Sequence, residues 1–366
     1  MRRSTLIVIF FALVAIAVIA FSQFLRSQPP LEITLVVSPL AEAWVRDSID
    51  ALNNSDPTIN TTRRFRVNLS VINDIDAWNS RAPWTPENHP TAWLPASSTS
   101  VDYFNETRRD GFRVFAPSIV RTPFVWGAYQ SRWNVLTDEG SDPLDWDAVR
   151  GLAAAESWST FGVQQNWGFV KLGFNQPDRK MSGLAAILMG AAHFADNPAT
   201  NTVTSSSAFR GWMQPVLMSV PNFSTLGGDP AAAMARGPNT VEIALFPESL
   251  WLENLDGMRD NENVRLSYPR FQFMLDFPLA IWNDGTVTEE ERRAVEVVRN
   301  WLLDSDRQRR AQDFGLRPAQ GEPDGGLFID AMDVGIVLMP DYGQAVQAPS
   351  RGEALALLQW ISSNIS

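Results

Sequence analysis

Serine hydroxyls occupy several points where predicted strands give way to helices or loops. Ser38 follows the first predicted strand, Ser97 and Ser98 lie in a loop, and Ser182 precedes Gly183 and an apolar helix, which is an N-cap position. Helix N-termini present free backbone N–H groups and the positive end of the helix dipole. These positions can surround one small polar ligand, or each serine can simply cap its own helix or turn.

Glu248 follows a predicted strand over residues 240–246. In open α/β sheets, ligands bind beyond the carboxyl ends of strands. An acid at this place can receive a cation or an amine of a ligand. It can equally serve as a hinge or surface acid, and the sequence pattern leaves both interpretations open.

The composition excludes several kinds of chemistry. The chain has 366 residues, no cysteine and only two histidines, His89 and His193. Thiolate metal sites, cysteine nucleophiles and a three-histidine zinc site are therefore excluded, and no catalytic residue, metal site or cofactor is predicted. The net charge is −11 without any Lys/Arg block, which disfavours a nucleic-acid partner. Most of the 14 tryptophans are expected in the core, and a smaller share could stack on a sugar.

The N-terminus is typical of an exported protein. Arg2 and Arg3 precede an unbroken apolar run over residues 6–21, and Pro29 and Pro30 end any helix there. Positive residues before such a run remain on the cytoplasmic side. We therefore expect residues 1–28 to be a signal peptide or a signal anchor that enters the membrane through residues 6–25. The body would lie outside the cytoplasmic membrane, either anchored by this N-terminal hydrophobic helix or secreted.

The sequence of the exported body predicts an α/β protein. Residues 33–37 predict a β-branched, nearly all apolar strand, and residues 65–71 predict a second strand. Between them, apolar residues recur at helical spacing over 41–52. Further strands are predicted over 118–129 and 240–246, and further helices over 142–155, 183–195 and 351–362. Thr288 and Glu291 form a capping box that begins another helix. Strands that alternate with helices predict the α/β class.

Five segments, taken together, resemble the bacterial extracellular solute-binding proteins of ABC transporters, which have the type II periplasmic-binding-protein fold. The resemblance extends over nearly all of residues 31–362, with the segments in the family's order. A similar module also occurs in proteins that carry von Willebrand A domains. The segments are the strand that leads to Ser38, the Trp-Leu-Pro-Ala-Ser-Ser loop at 93–98, residues 167–177 with Met-Ser-Gly-Leu at 181–184, residues 248–249, 268–269 and 276–279, and Phe-Gly-Leu-Arg-Pro-Ala at 314–319.

The resemblance implies two lobes joined by two crossing strands. One lobe would comprise residues 31–120 and 280–366, and the other would comprise residues 121–279. The crossings are expected near 118–129 and 273–282. Arg317 is expected to pair with a carboxylate at the base of the lobes.

The resemblance also implies a function, namely capture of a small polar solute in the cleft between the lobes, for uptake through an ABC permease or for sensing. The solute can be an oxyanion, a sugar or another polar molecule. The ligand-binding residues would be Ser38, Ser97, Ser98, Ser182, Gly183 and Glu248. Two alternatives remain open at this point: an exported carbohydrate-active hydrolase that uses a pair of carboxylates, and an adhesion or scaffold module that keeps the fold without a ligand.

Overall fold

The computed structural model describes residues 10–16, 29–60, 63–79, 83–109, 111–140, 143–162, 167–221, 226 and 229–365. Strands and helices alternate along most of this length, as the sequence predicted. The strands are β1 (Leu31–Val37), β2 (Thr58–Ile59), β3 (Arg63–Val71), β4 (Ala92–Leu94), β5 (Phe112–Ala116), β6 (Val120–Arg121), β7 (Phe124–Tyr129), β8 (Leu172–Gly173), β9 (Ile243–Pro247), β10 (Val264–Ser267), β11 (Phe271–Gln272), β12 (Leu279–Trp282), β13 (Arg317–Pro318) and β14 (Gln344–Ala345).

Seven of the thirteen α-helices given below begin after a residue whose side chain caps them. Capping boxes start two of them, one at Thr288 with Glu291, as the sequence predicted, and one at Ser350 with Glu353. The α-helices are α1 (Glu42–Asn54), α2 (Asp74–Trp78), α3 (Ser98–Thr107), α4 (Gln130–Leu136), α5 (Trp146–Ala155), α6 (Met181–Ala195), α7 (Ser207–Met218), α8 (Pro230–Met234), α9 (Glu248–Arg259), α10 (Glu289–Leu302), α11 (Ser305–Gln312), α12 (Gly326–Asp330) and α13 (Arg351–Asn364).

The larger sheet has the strand order β2-β3-β1-β4-β12-β5. Its strands β3, β1 and β4 are parallel, and Val37 at the end of β1 pairs with Val71 of β3 and Leu94 of β4. The three strands therefore end at the same edge, and the polar segments that follow them lie side by side. We call this sheet and the helices packed on it the first lobe.

The smaller sheet has the strand order β10-β7-β9-β8. β8 runs parallel to β9, while β7 is antiparallel to both β9 and β10. Helix α6 packs against this sheet with nearly every side chain from Met181 to Ala192 buried. We call this sheet and its helices the second lobe.

Two neighbouring segments carry the chain from one lobe to the other and back. Thr122 and Leu275 exchange backbone hydrogen bonds of 2.9 and 3.1 Å, and Ile119 N–H donates to the Phe277 carbonyl at 3.0 Å. The architecture is therefore α/β and two-lobed, with two crossing segments, as the resemblance implied.

The structure places most of the tryptophans in the core, as the sequence predicted. Those that are fully buried are Trp44, Trp78, Trp93, Trp126, Trp146, Trp158, Trp251 and Trp282. Each removes a large apolar surface from water, and in this way both lobes gain much of their hydrophobic stabilisation.

The N-terminal hydrophobic helix lies largely outside the described residues. Residues 10–16 are helical and exposed, and residues 1–9 and 17–28 belong to the part that the structure does not describe. Within the described residues, we find no helix with the length and apolar character needed to cross a bilayer.

Candidate functional site

A cavity of about 210 Å³ lies between the two lobes, and both contribute to its walls. The first lobe supplies Ser38, Asp74 and Ala96. These residues follow β1, β3 and β4, whose carboxyl ends meet at this edge of the sheet. The cavity therefore lies where open α/β sheets place their ligands.

Asp74 is the buried acid of the first-lobe wall, with only 1% of its surface exposed. Its Oδ2 accepts hydrogen bonds from the Ala96 N–H and the Ser100 hydroxyl, both at 2.8 Å. Its Oδ1 makes no hydrogen bond to any described residue. Burial raises the pKa of Asp74 to about 6, although hydrogen bonds from Ser100 and Ala96 and the nearby Ser38 hydroxyl partly offset this rise.

Asn175 faces the cavity from the second lobe. It follows β8, and only 2% of its surface is exposed. Its Oδ1, like that of Asp74, has no hydrogen-bond partner among the described residues. Two buried acceptor oxygens, one from each lobe, thus line one cavity without a donor at hydrogen-bond distance, although the Ser38 hydroxyl lies close enough to Asp74 to lower its pKa.

Charged side chains complete the second-lobe wall. Asp229 caps α8 by accepting from the N–H groups of Ala231 and Ala232 at 2.9 and 3.0 Å. Glu253 lies on α9 at the edge of the cavity, where it remains exposed to solvent. Partial desolvation there, together with the charge of Asp229, raises the pKa of Glu253 to about 7. Lys180 is the only cationic side chain that lines the cavity in the described part of the chain, and burial lowers its pKa while Asp229 opposes that shift.

The predicted serines take different positions. Ser38 and Ser182 line the same cavity, although they are far apart in sequence. Ser97 caps α3 by accepting from the Thr99 N–H at 3.2 Å, and the Ser98 N–H donates to Asp276 Oδ1 at 2.8 Å. Neither Ser97 nor Ser98 is among the described residues that line the cavity.

The N-cap assignment of Ser182 is wrong. The N-cap residue is Lys180, and Ser182 is the second residue of α6. The helix begins earlier because the 176–180 turn already closes on itself, with the Lys180 N–H donating to the Gln176 carbonyl at 2.9 Å. Ser182 is 7% exposed and lines the cavity.

Gly183 lies behind the cavity wall. A Cβ atom at this position would lie 2.3 Å from the Asn175 carbonyl oxygen and 2.8 Å from that of Gln176. Only glycine allows α6 to approach the turn this closely. Gly183 therefore supports the position of Asn175.

Glu248 lies in a buried ion pair away from the described cavity lining. Arg317 Nε and Nη2 donate to its two oxygens at 2.5 and 2.8 Å, and the Tyr268 hydroxyl also donates to it. Neither Glu248 nor Arg317 is more than 1% exposed. The expected pairing of Arg317 with a carboxylate is thus confirmed, and Glu248 is that carboxylate.

Comparisons with known proteins find likeness in structure but none in sequence. No protein-family model matches the chain, and no curated protein matches its sequence. Among solved structures, the sulfate-binding protein SubI from Mycobacterium tuberculosis H37Rv is 15% identical, with 91% of this chain and 97% of that chain covered and a TM-score of 0.51. A solute-binding protein from Thermotoga lettingae TMO, bound with α-D-tagatose, is 10% identical, with 92% and 95% covered and a TM-score of 0.59.

A third solved structure, iron-bound HitA from Pseudomonas aeruginosa, is 14% identical, with 91% of this chain and 99% of that chain covered and a TM-score of 0.53. All three cover both lobes. The chain has the fold of the ABC-transporter solute-binding proteins. The expected likeness to modules attached to von Willebrand A domains has no support in these comparisons.

The sequence patterns above do not identify the three acidic residues that line the cavity, Asp74, Asp229 and Glu253. Asp74 follows the predicted strand at 65–71 just as Ser38 follows the one at 33–37, so the rule that identified Ser38 also applies to it. Asp229 precedes Pro230, and this Asp-Pro pair is a helix-start signal. Glu253 carries no such signal, because its place in the cavity depends on how α9 packs.

Proposed function

We propose that this protein is an exported solute-binding protein that holds one small polar solute in the cavity between its lobes. The observation that carries the proposal is the pair of buried acceptor oxygens, Asp74 Oδ1 and Asn175 Oδ1, which have no donor among the described residues. A buried polar atom left without a partner costs about 1–3 kcal/mol, so few persist in folded proteins. A bound solute that donates to both atoms removes this cost.

The polar lining also bears on the alternatives. A module that had lost its ligand would have a collapsed or apolar cleft. Here the cavity keeps about 210 Å³, and hydroxyl, amide, carboxylate and ammonium groups line it beside apolar residues such as Leu40, Met181 and Leu250. This lining favours solute binding over a scaffold role.

Two lobes joined by two crossing segments allow the hinge closure that a solute-binding protein needs. We assign residues 31–120 and 280–366 to the first lobe and residues 121–279 to the second. Closure would then be a hinge motion about the crossing segments at 119–122 and 275–277. From the predicted set, Ser38 and Ser182 would contact the solute directly, and delivery would be to an ABC permease or a sensor at the membrane.

Export follows from the charge pattern at the N-terminus. Arg2 and Arg3 precede the apolar run at 6–21, so residues 1–28 would place the body outside the cytoplasmic membrane, either anchored or after cleavage. A reporter that is active only outside the cytoplasm, fused after Ser366, should be active. Activity of a cytoplasm-only reporter at the same position would contradict export, and the mass of the mature protein would distinguish cleavage from anchoring.

Solute binding is tested by thermal unfolding with a panel of oxyanions, sugars, amino acids and amines. We expect one class to raise the melting temperature, because a ligand at 100 times its Kd adds about 2.7 kcal/mol of stability. Ser182→Ala should reduce this ligand-induced shift, whereas Ser205→Ala, which changes an exposed serine of the same lobe, should not. A panel without any stabilising member, or an unchanged shift in Ser182→Ala, would contradict the proposed site.

A further inference from the structure

We propose that the solute is a small organic cation, which places an ammonium or guanidinium group between Asp74 of the first lobe and Asn175 of the second. This inference rests on the proposed function, because it specifies the solute class of the same cavity. It follows from the charge of the lining, from its unpartnered acceptors and from the groups that the lining lacks.

The charge of the lining favours a cation. Asp74, Asp229 and Glu253 face the cavity, and Lys180 alone opposes them among the cavity-lining residues that the structure describes. Like charges at close range repel more strongly in a protein interior than in water. Sulfate or phosphate would therefore meet net repulsion, and a positively charged solute would be attracted.

The unpartnered atoms require donors. Asp74 Oδ1 and Asn175 Oδ1 are both acceptors, and both belong to side chains that are at least 98% buried. A deprotonated oxyanion brings acceptors only, whereas an ammonium carries three N–H donors and a guanidinium carries a planar set of donors. A charged donor also makes a stronger hydrogen bond with a carboxylate than a neutral hydroxyl does.

The described lining contains no aromatic ring. A sugar therefore has no platform on which to stack, and the fully buried tryptophans belong to the core. A quaternary ammonium is disfavoured for the same reason, because it has no N–H donor and is recognised by aromatic faces. The lining thus selects cations that donate hydrogen bonds.

A bare metal ion does not fit the arrangement of the acids. Chelation needs ligand oxygens that converge on one point. In the described part of the chain, Asp145, Asp147 and His193 form the only group of three such residues whose ligand atoms lie within 4.8 Å of one another, and they lie outside the cavity lining. Acids that come from both lobes, Asp74 from the first and Asp229 and Glu253 from the second, instead suit a solute with positive groups at both ends.

Three four-carbon probes of different charge test the inference. Putrescine carries two ammonium groups, 1,4-butanediol is neutral, and succinate carries two carboxylates. We expect calorimetry at pH 8 in a sulfate-free buffer to detect putrescine, or the longer amino-guanidine agmatine, and to detect neither the diol nor succinate. Sulfate and tagatose complete the set, and they should not bind.

Matched variants distinguish binding in the cavity from a general electrostatic attraction of cations to an acidic protein. Glu253→Gln and Asp74→Asn should each weaken binding of the cation at least tenfold. Asp256→Asn and Asp76→Asn remove the same charge from the same two helices outside the cavity lining, and they should change the Kd less than twofold. Circular dichroism confirms that each variant is folded.

The outcomes distinguish this inference from the proposed function. Binding of sulfate, succinate or tagatose without binding of either cation would overturn the inference and leave the solute-binding function standing. Cation binding that Asp256→Asn weakens as much as Glu253→Gln would overturn it as well, because the attraction would then be unspecific. Absence of binding by both cations would overturn the inference, and absence of binding by these probes and by every member of the thermal-unfolding panel would contradict both proposals.

Discussion

At the scale of single residues, a buried acid that lacks hydrogen-bond donors on one oxygen lowers the stability of the empty protein. Such an acid is a candidate for contact with a ligand. Asp74 has hydrogen bonds to one oxygen only, and its burial raises its pKa to about 6 from the usual value of 3.8. A structural acid would have donors on both oxygens, as Glu248 does with Arg317 and Tyr268. The contrast separates the two buried acids that follow strands β3 and β9.

Asp74→Asn should stabilise the empty protein near neutral pH. The folded-state pKa is raised, so the contribution of protonated Asp74 is present below about pH 4 and is lost as the pH rises through about 6. Ionised Asp74 therefore costs the folded state on the order of 3 kcal/mol above pH 6, by the usual conversion of a pKa shift. Asparagine keeps an acceptor for Ala96 and Ser100 and removes this cost.

The measurement is urea unfolding of both proteins from pH 4 to pH 8, without ligand. The variant should be more stable by about 1–3 kcal/mol at pH 8, and the difference should vanish towards pH 4. The other charged groups that line the cavity, Lys180, Asp229 and Glu253, are the same in both proteins, so the comparison largely cancels their contributions. A variant that is less stable at pH 8, or a difference that is independent of pH, would show that Asp74 is a structural acid. Asp76→Asn is the control.

At the scale of elements, the sequence predicts where a strand or helix lies better than what its end faces. The apolar run of β1 and the capping box of α10 are local signals, and both were read correctly. The sequence predicts a start for α6 that is two residues too late. The turn from Gln176 to Lys180 is stabilised by backbone hydrogen bonds, which do not depend on residue type and so cannot be recognised in the sequence.

The same limit applies to the prediction of the site residues. Ser38 and Ser182 were identifiable because strand ends and helix starts have sequence signals, and both line the cavity. Whether the acid at the end of β9 faces solute or protein depends on β13, which brings Arg317 beside it by pairing with β6. Such a contact joins segments that are distant in sequence, so residue spacing alone does not reveal it.

At the scale of the whole molecule, several contacts link the lobes at some distance from the cavity. Besides the crossing segments, α13 contacts both lobes, since Arg351 Nε donates to the Trp78 carbonyl at 2.8 Å and Glu353 accepts from the Thr202 N–H at 2.8 Å. The Glu248–Arg317 pair joins the first turn of α9 to β13. Helix α9 also carries Glu253, which lines the cavity about one and a half turns further along, so the buried pair and a cavity-lining acid share one helix.

The last prediction concerns that pair, because it decides between the two interpretations of Glu248. Glu248→Gln leaves the Arg317 guanidinium buried without its counter-charge, and breaking a buried pair in this way costs about 3–5 kcal/mol. Urea unfolding should show this loss, while calorimetry below the unfolding transition should give the folded variant a Kd for its ligand within about threefold of the wild type. Glu253→Gln should show the opposite pattern, with weaker binding and little loss of stability. The double variant Glu248→Gln/Arg317→Met should recover much of the lost stability, since it removes both buried charges. If Glu248→Gln instead abolished binding without lowering stability, Glu248 would be the solute-binding acid that the family resemblance implied, and the cavity assigned here would be incomplete.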